Sequence, residues 1–234
     1  MKNIIILSGG LDSTTLLHHL HSQGIGLKAV TFDYGSKHNK QEQICAKYHC
    51  EQLGIEHIVI EMEFIKKHFK SNLLQGGDAI PEGHYADSNM KKTVVPFRNG
   101  IMLSIAAGLA ESEGSEFIYV GSHFGDHAVY PDCREDFIIE MRDAITRGTY
   151  NSPTVVAPYT HFSKTDIAGI ASKLQYDFYN TYSCYNGDEV QCGRCSTCFE
   201  RREAFHLAGV QDMTFYKDKT PIEELIKEYE DGKV

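Results

Sequence analysis

Met1-Lys2-Asn3-Ile4-Ile5-Ile6-Leu7-Ser8-Gly9-Gly10-Leu11-Asp12-Ser13-Thr14 opens the chain, and its reading decides the fold. Ile4 to Leu7 form an apolar run bounded by a turn signal, as expected of a strand buried on both faces. Ser8 to Ser13 make a glycine turn, and helical spacing follows through Leu16, Leu17 and Leu20. Strand, glycine turn and helix N-terminus together present free backbone N–H groups and the positive end of a helix dipole to an anion. Gly9 and Gly10 let the backbone approach a phosphate without a clashing Cβ. Ser8 and Ser13 add hydroxyl donors.

The turn lacks the lysine of a Walker A loop and does not fit G-x-G-x-x-G. It resembles, residue for residue, the S-G-G-x-D-S loop of the N-type ATP pyrophosphatases, the PP-loop superfamily. The resemblance implies ATP cleavage between the α and β phosphates. Ser8, Gly9, Gly10, Leu11, Asp12 and Ser13 would then hold the pyrophosphate, with Ser8, Asp12 and Ser13 acting in catalysis. An ionised Asp12 cannot donate to a phosphate, so Mg²⁺ or the loop's own N–H groups are its expected partners.

At 234 residues the chain can bury a substantial core. A net charge of −9 and a pI of 5.7 argue against nucleic acid as a stable partner. The first apolar run is too short for a signal peptide, no stretch is read as a membrane span, and a cytoplasmic protein is expected.

Working outward from the first loop, Leu27 to Gly35 reads as a second strand and Lys37 to Leu53 as a polar helix. Ile44, Tyr48 and Leu53 mark its apolar face and Gly54 its end. Ile55 to Ile60 gives a third strand, Phe117 to Gly121 a fourth and Thr154 to Ala157 a fifth. Helices are expected through Ile101–Leu109 and Phe137–Ile145, from Ser163 with a capping box, and over Pro221–Tyr229. This alternation predicts an α/β fold: a doubly wound, mostly parallel sheet whose ligands collect beyond the carboxyl ends of the strands. Adenine would sit near Phe32 and Tyr34. Residues 63–93 form an irregular excursion, expected to be a lid or a dimer contact.

Four of the seven cysteines, Cys184, Cys192, Cys195 and Cys198, follow the pattern C-x7-C-x2-C-x2-C. Four thiolates at this spacing suit one closed tetrahedral Zn²⁺ site that pins the C-terminal segment, with an iron–sulfur cluster as the competitor. Cys45, Cys50 and Cys133 read as packed thiols. The division expected is a core of residues 1–160 and a helical zinc-bearing segment of residues 161–234, joined in one compact unit.

The stretch Gly121 to Arg134 follows the fourth strand, where such a sheet places its ligand, and offers His123, Asp126, Tyr130, Asp132 and Arg134 for binding. Arg98 and Asn99 lie in a turn before a helix. Lys164 stands in the first turn of another helix, where a cation is disfavoured unless a phosphate is near.

Ser8–Ser13, the Tyr130-Pro131-Asp132-Cys133-Arg134 stretch and the Ser183-Cys184-Tyr185-Asn186-Gly187…Cys198 pattern, in this order, resemble the 7-cyano-7-deazaguanine synthases of queuosine biosynthesis. The resemblance runs from the first strand to the last cysteine and implies the adenine nucleotide alpha hydrolase-like version of the fold. It implies conversion of 7-carboxy-7-deazaguanine and ammonia to the nitrile with ATP, through an adenylated acid and an adenylated amide. Lys164 would assist at the phosphates. Asp132 or Asp126 would accept from the deazaguanine N1–H and amine, and Arg98 or Arg134 would orient the substrate carboxylate. No glutaminase domain fits the length beside this core, so ammonia must arrive free or from a partner. A homodimer is expected. The rival readings are a tRNA-thiolating PP-loop enzyme, which the acidic pI disfavours, and a non-catalytic nucleotide- and zinc-binding regulator.

Overall fold

The computed structural model describes residues 2–82 and 88–230. β1 (Asn3–Ile6) lies at the centre of a five-stranded sheet in the order β3-β2-β1-β4-β5, with β2 (Leu27–Asp33), β3 (Glu56–Glu61), β4 (Phe117–Tyr119) and β5 (Thr154–Val156). Every pairing is parallel; Ile5 lies opposite Ala29 on one side and Tyr119 on the other. Side chains alternate between the faces of a strand. Ile4 and Val30 accordingly enter one core cluster and Ile5 and Ala29 the other.

The first cluster is covered by α4 (Arg98–Glu113), through Leu103, Ala106 and Ala110, and by α5 (Glu135–Gly148), through Ile138 and Ile145. The opposite face is covered by α1 (Leu11–Ser22), α2 (Asn39–Leu53), α6 (Lys164–Leu174) and α7 (Ser196–Leu207). Ile167, Ala168, Ala171 and Phe205 join Leu16 and Leu17 in that layer, so residues beyond 160 share the core of the sheet. α8 (Ile222–Glu230) docks on α7, where Tyr229 meets Phe199 with ring centroids 4.6 Å apart.

Two expectations need correcting. Ile44 is 53% exposed; α2 instead buries Ala46, His49 and Cys50, because its inward face carries polar groups toward α1 and the strand ends. Met90–Glu113 does reach the length and hydropathy of a membrane span, but here it is a short 3₁₀ turn leading to α4, whose apolar residues pack on the sheet.

The excursion begins with α3 (Glu63–His68) and is stitched to the β2–α2 turn. Gln75 N donates to Gly35 O at 2.9 Å, and Lys37 Nζ donates to the carbonyls of Gly77 and Asp78 at 3.1 and 2.5 Å. Part of the expected lid or dimer contact, residues 83–87, lies outside the described residues.

Between α1 and α2, His49 Nε2 donates to Asn180 O at 3.1 Å, which leaves its Nδ1 to accept from His18 Nε2 at 3.0 Å. Burial, then the charges His49 and His21 would carry, push the His18 pKa down to about 4. The unfolded chain therefore takes up a proton below about pH 6.5 that the folded chain refuses, and stability falls from there toward pH 4. With His18 partly exposed, about 1–2 kcal/mol is expected to be lost over this range. Urea unfolding of His18→Phe at pH 7 and pH 4.5 should show a smaller pH difference than the parent; an equal difference would refute the assignment.

Candidate active site

A cleft opens where the strand order reverses, beyond the carboxyl ends of β1 and β4, the place an open parallel sheet reserves for ligands. Ser8, Gly10, Leu11, Asp12 and Ser13 form one wall. Gly9 has φ +88°, and a Cβ there would meet Glu42 O at 2.2 Å, so α2 packs directly on the loop backbone. Ser8 Oγ and Ser13 Oγ lie 3.0 Å apart, and Gly10 N donates to Ser8 Oγ at 3.1 Å. The first-turn N–H groups of α1 face this wall without intrahelical acceptors.

Lys164, from the start of α6, reaches across to the loop. Its Nζ lies 2.6 Å from Asp12 Oδ2 and 3.6 Å from Glu200 Oε2. Burial disfavours the Lys164 charge, yet Asp12, Glu200 and Asp126 outweigh it and raise the pKa. Burial likewise opposes the Asp12 charge, but Lys164 and His123 overcome it and hold the carboxyl below its usual range. In Glu200 burial prevails over Lys164, and the pKa is raised. Asp12 Oδ1 is buried and has no hydrogen-bond partner. An acceptor oxygen left bare beside a loop of free backbone N–H groups is one that a cation would satisfy.

The other end of the cleft is aromatic. Arg98 Nη1 donates to Tyr34 Oη at 3.0 Å, and the guanidinium lies over the Tyr34 and Tyr130 rings at 5.3 and 5.8 Å. Tyr130 Oη meets Tyr185 Oη at 2.9 Å, and Tyr185 stacks on His38 at 5.2 Å. Phe32 also lines the cleft.

The structure thus brings most of the expected residues to one cavity: the Ser8–Ser13 loop apart from Gly9, together with Phe32, Tyr34, Arg98, Asn99, Asp126, Tyr130, Asp132 and Lys164. Three stand elsewhere. Gly9 lies beneath the loop. His123 is buried behind it, its Nδ1 accepting from Gly125 N at 3.1 Å and its Nε2 lying 3.8 Å from Asp12 and 3.6 Å from Asp126. Arg134 is exposed, its Nε donating to His127 O at 3.1 Å, and does not line the cavity. Asp132 accepts at Oδ2 from Asn99 N, 2.8 Å away at the start of α4, a helix cap delivered from a distant loop.

Sequence reasoning missed His38, Glu42, Tyr182, Tyr185 and Glu200, all of which line the cleft. The available signals were slight. His38 and Glu42 are spaced by four at the start of α2, and Glu200 follows the last cysteine by two.

Next to the cleft, the Sγ atoms of Cys184, Cys192, Cys195 and Cys198 lie within 4.8 Å of one another. Cys192–Cys198 and Cys184–Cys195 are 3.9 and 4.0 Å apart. Four thiolates about 2.3 Å from a central ion sit about 3.8 Å from each other, so the set is compatible with zinc. A cubane cluster interposes four irons and four sulfides between its thiolates, more than this spacing encloses. Gly193, at φ +87°, turns the chain so that the N–H groups of Arg194 and Cys195 donate to Cys192 Sγ at 3.4 and 3.2 Å. The cysteine segment also touches the loop, since Tyr182 N donates to Gly9 O at 3.0 Å. In the same segment the fully buried Arg201 donates to Thr181 Oγ1 at 2.6 Å and Phe178 O at 3.1 Å.

The family described as queuosine biosynthesis protein QueC matches residues 2–209. The chain belongs to this family. It is 54% identical over 215 residues to the 7-cyano-7-deazaguanine synthase of Porphyromonas gingivalis, spanning 92% of this chain and 97% of that protein. The enzyme of the same name from Desulfotalea psychrophila is 46% identical over 216 residues, spanning 92% and 99%. The solved NMN synthetase from Francisella tularensis matches with a TM-score of 0.50 at 12% identity, over 99% of this chain and 84% of that one, a likeness of fold alone. Membership in the family and the parallel-sheet fold agree with the reading of the sequence.

Proposed function

We propose that this chain is a 7-cyano-7-deazaguanine synthase that works as an AMP-forming ligase on 7-carboxy-7-deazaguanine, ammonia and ATP. The observation that carries the reading is the Lys164–Asp12–Glu200 group set against an intact PP-loop at the mouth of the cleft. The substrate carboxylate attacks the α phosphate, giving an acyl adenylate and pyrophosphate. Ammonia then displaces AMP and yields the amide. The amide oxygen attacks the α phosphate of a second ATP and releases pyrophosphate, and loss of AMP and both nitrogen-bound protons leaves the nitrile.

The chain's part is positioning and charge stabilisation. Ser8, Gly10, Leu11 and Ser13 receive the departing pyrophosphate, with Lys164 at its charge, while Gly9 lets α2 pack beneath the loop. Mg²⁺, held at Asp12, would neutralise phosphate oxygens. Phe32 and Tyr34 flank the adenine. Arg98, which has no carboxylate within 4 Å among the described residues, is kept for the substrate acid, while Asp126, Asp132, Asn99 and Tyr130 shape its pocket. His123 supports Asp12 and Asp126 from behind. The four cysteines hold one structural Zn²⁺. A homodimer working in the cytoplasm completes the proposal.

Exchange of labelled pyrophosphate into ATP separates this route from a phosphorylating one. Exchange that requires the deazaguanine acid and proceeds without ammonia is the expected result. Formation of ADP and phosphate instead would refute it.

A further inference from the structure

Five carboxylates line the cleft, and four are already engaged. Asp12 and Glu200 face Lys164, Asp132 caps α4, and Asp126 Oδ2 lies 3.4 Å from His123 N as its acceptor. Glu42 differs. No hydrogen bond reaches its carboxylate among the described residues, although its side chain is only 15% exposed. The Nε2 of His38 lies 3.5 Å from its carboxylate. Burial, reinforced by Arg98, pushes the His38 pKa down to about 3, so the imidazole is neutral and supplies no counter-charge. Burial also pushes the Glu42 pKa up to about 8 despite Arg98, as expected of a carboxylate short of donors.

Arg98 and Glu42 thus enter one aromatic chamber as a guanidinium and a carboxyl group that do not pair within 4 Å among the described residues, and a ligand that donates to Glu42 would favour its ionised form. Two such groups held apart suit a flat ligand that is anionic at one end and offers adjacent N–H donors at the other. A 7-deazaguanine carrying a 7-carboxylate is such a molecule: the acid stands on the five-membered ring, and N1–H and the 2-amine lie together on the six-membered ring. A carboxylate accepts both in a bidentate pair.

We infer that Glu42 is the specificity-determining residue that accepts from the N1–H and 2-amino edge of the deazaguanine. This rests on the proposed substrate and adds the residue that distinguishes it from 2-desamino analogues. A site built to bond a donor pair rejects a ligand lacking half of it, because the buried acceptor is then left bare.

Calorimetric titration of the full chain with 7-carboxy-7-deazaguanine, its 2-desamino analogue and ATP tests the inference. The parent protein should prefer the 2-amino compound by about a hundredfold. Glu42→Gln should bring that ratio to within a few-fold while keeping ATP affinity. Glu42→Asp keeps the carboxyl group but withdraws it by one methylene, and it should also lose the preference, which covers a failure of the glutamine variant to fold. Unchanged preference in either folded variant would overturn the role of Glu42 and leave the proposed reaction standing. A parent protein that binds ATP but neither deazaguanine would overturn both.

Discussion

Replacing Lys164 by methionine should lower kcat/KM for ATP about a thousandfold, equivalent to about 4 kcal/mol of transition-state stabilisation. Lys164 is the cation that touches the loop's own aspartate, 2.6 Å from Asp12 Oδ2, with its side chain 14% exposed. Charge on the departing pyrophosphate grows in the transition state, so a fixed ammonium there counts for more at the barrier than in the ground state. The substitution also leaves Asp12 and Glu200 facing one another without their shared cation. About 3 kcal/mol of stability should go with it, since breaking a buried pair strands the remaining charge. Urea unfolding and steady-state kinetics on one preparation separate the two effects. A folded variant that keeps kcat/KM within tenfold of the parent would remove Lys164 from the phosphate site.

Removing a zinc ion bound at the four cysteines should have the second large effect, on stability and on nucleotide binding together. Structural zinc contributes about 10–16 kcal/mol in isolated fingers, as much as the whole stability of an ordinary domain of about 5–15 kcal/mol. Cys195→Ser, or prolonged chelation, should therefore lower the melting midpoint by at least about 10 °C. ATP affinity should fall with it. The segment that carries the cysteines supplies the Tyr182 N–H bond to Gly9 and, two residues past Cys198, the Glu200 carboxylate beside Lys164. Metal analysis of the parent should give one zinc per chain and no iron. A metal-free protein with parental midpoint and ATP affinity would contradict both the structural role and its link to the loop.

What was legible in the sequence was what the chain writes locally. The loop from Ser8 to Ser13 and the cysteines from Cys184 to Cys198 hold their chemistry at short spacing, where turn geometry alone brings the groups together. The sheet followed from apolar runs alternating with helical spacing. What was not legible depends on distant partners. Glu42 and His38 lie in a stretch read only as a polar helix, and the packing of α2 against Gly9 brings them to the cleft. Ile44 read as core on the same helix but faces solvent, because the buried side of α2 is set by α1 and the strand ends rather than by its own apolar residues. Asp132 and Arg134 are two residues apart, yet one caps a helix more than thirty residues upstream while the other stays at the surface. Spacing alone carries no information about such a split.

The central claim is that the cleft joins ATP cleavage at the α phosphate to nitrile formation on a deazaguanine. The most direct measurement is to incubate the purified protein with Mg-ATP, ammonium and 7-carboxy-7-deazaguanine, following AMP and the mass of the product. The account predicts AMP formed only when the acid is present, with two AMP for each nitrile. No AMP from this acid, in a zinc-replete and folded sample, would contradict it.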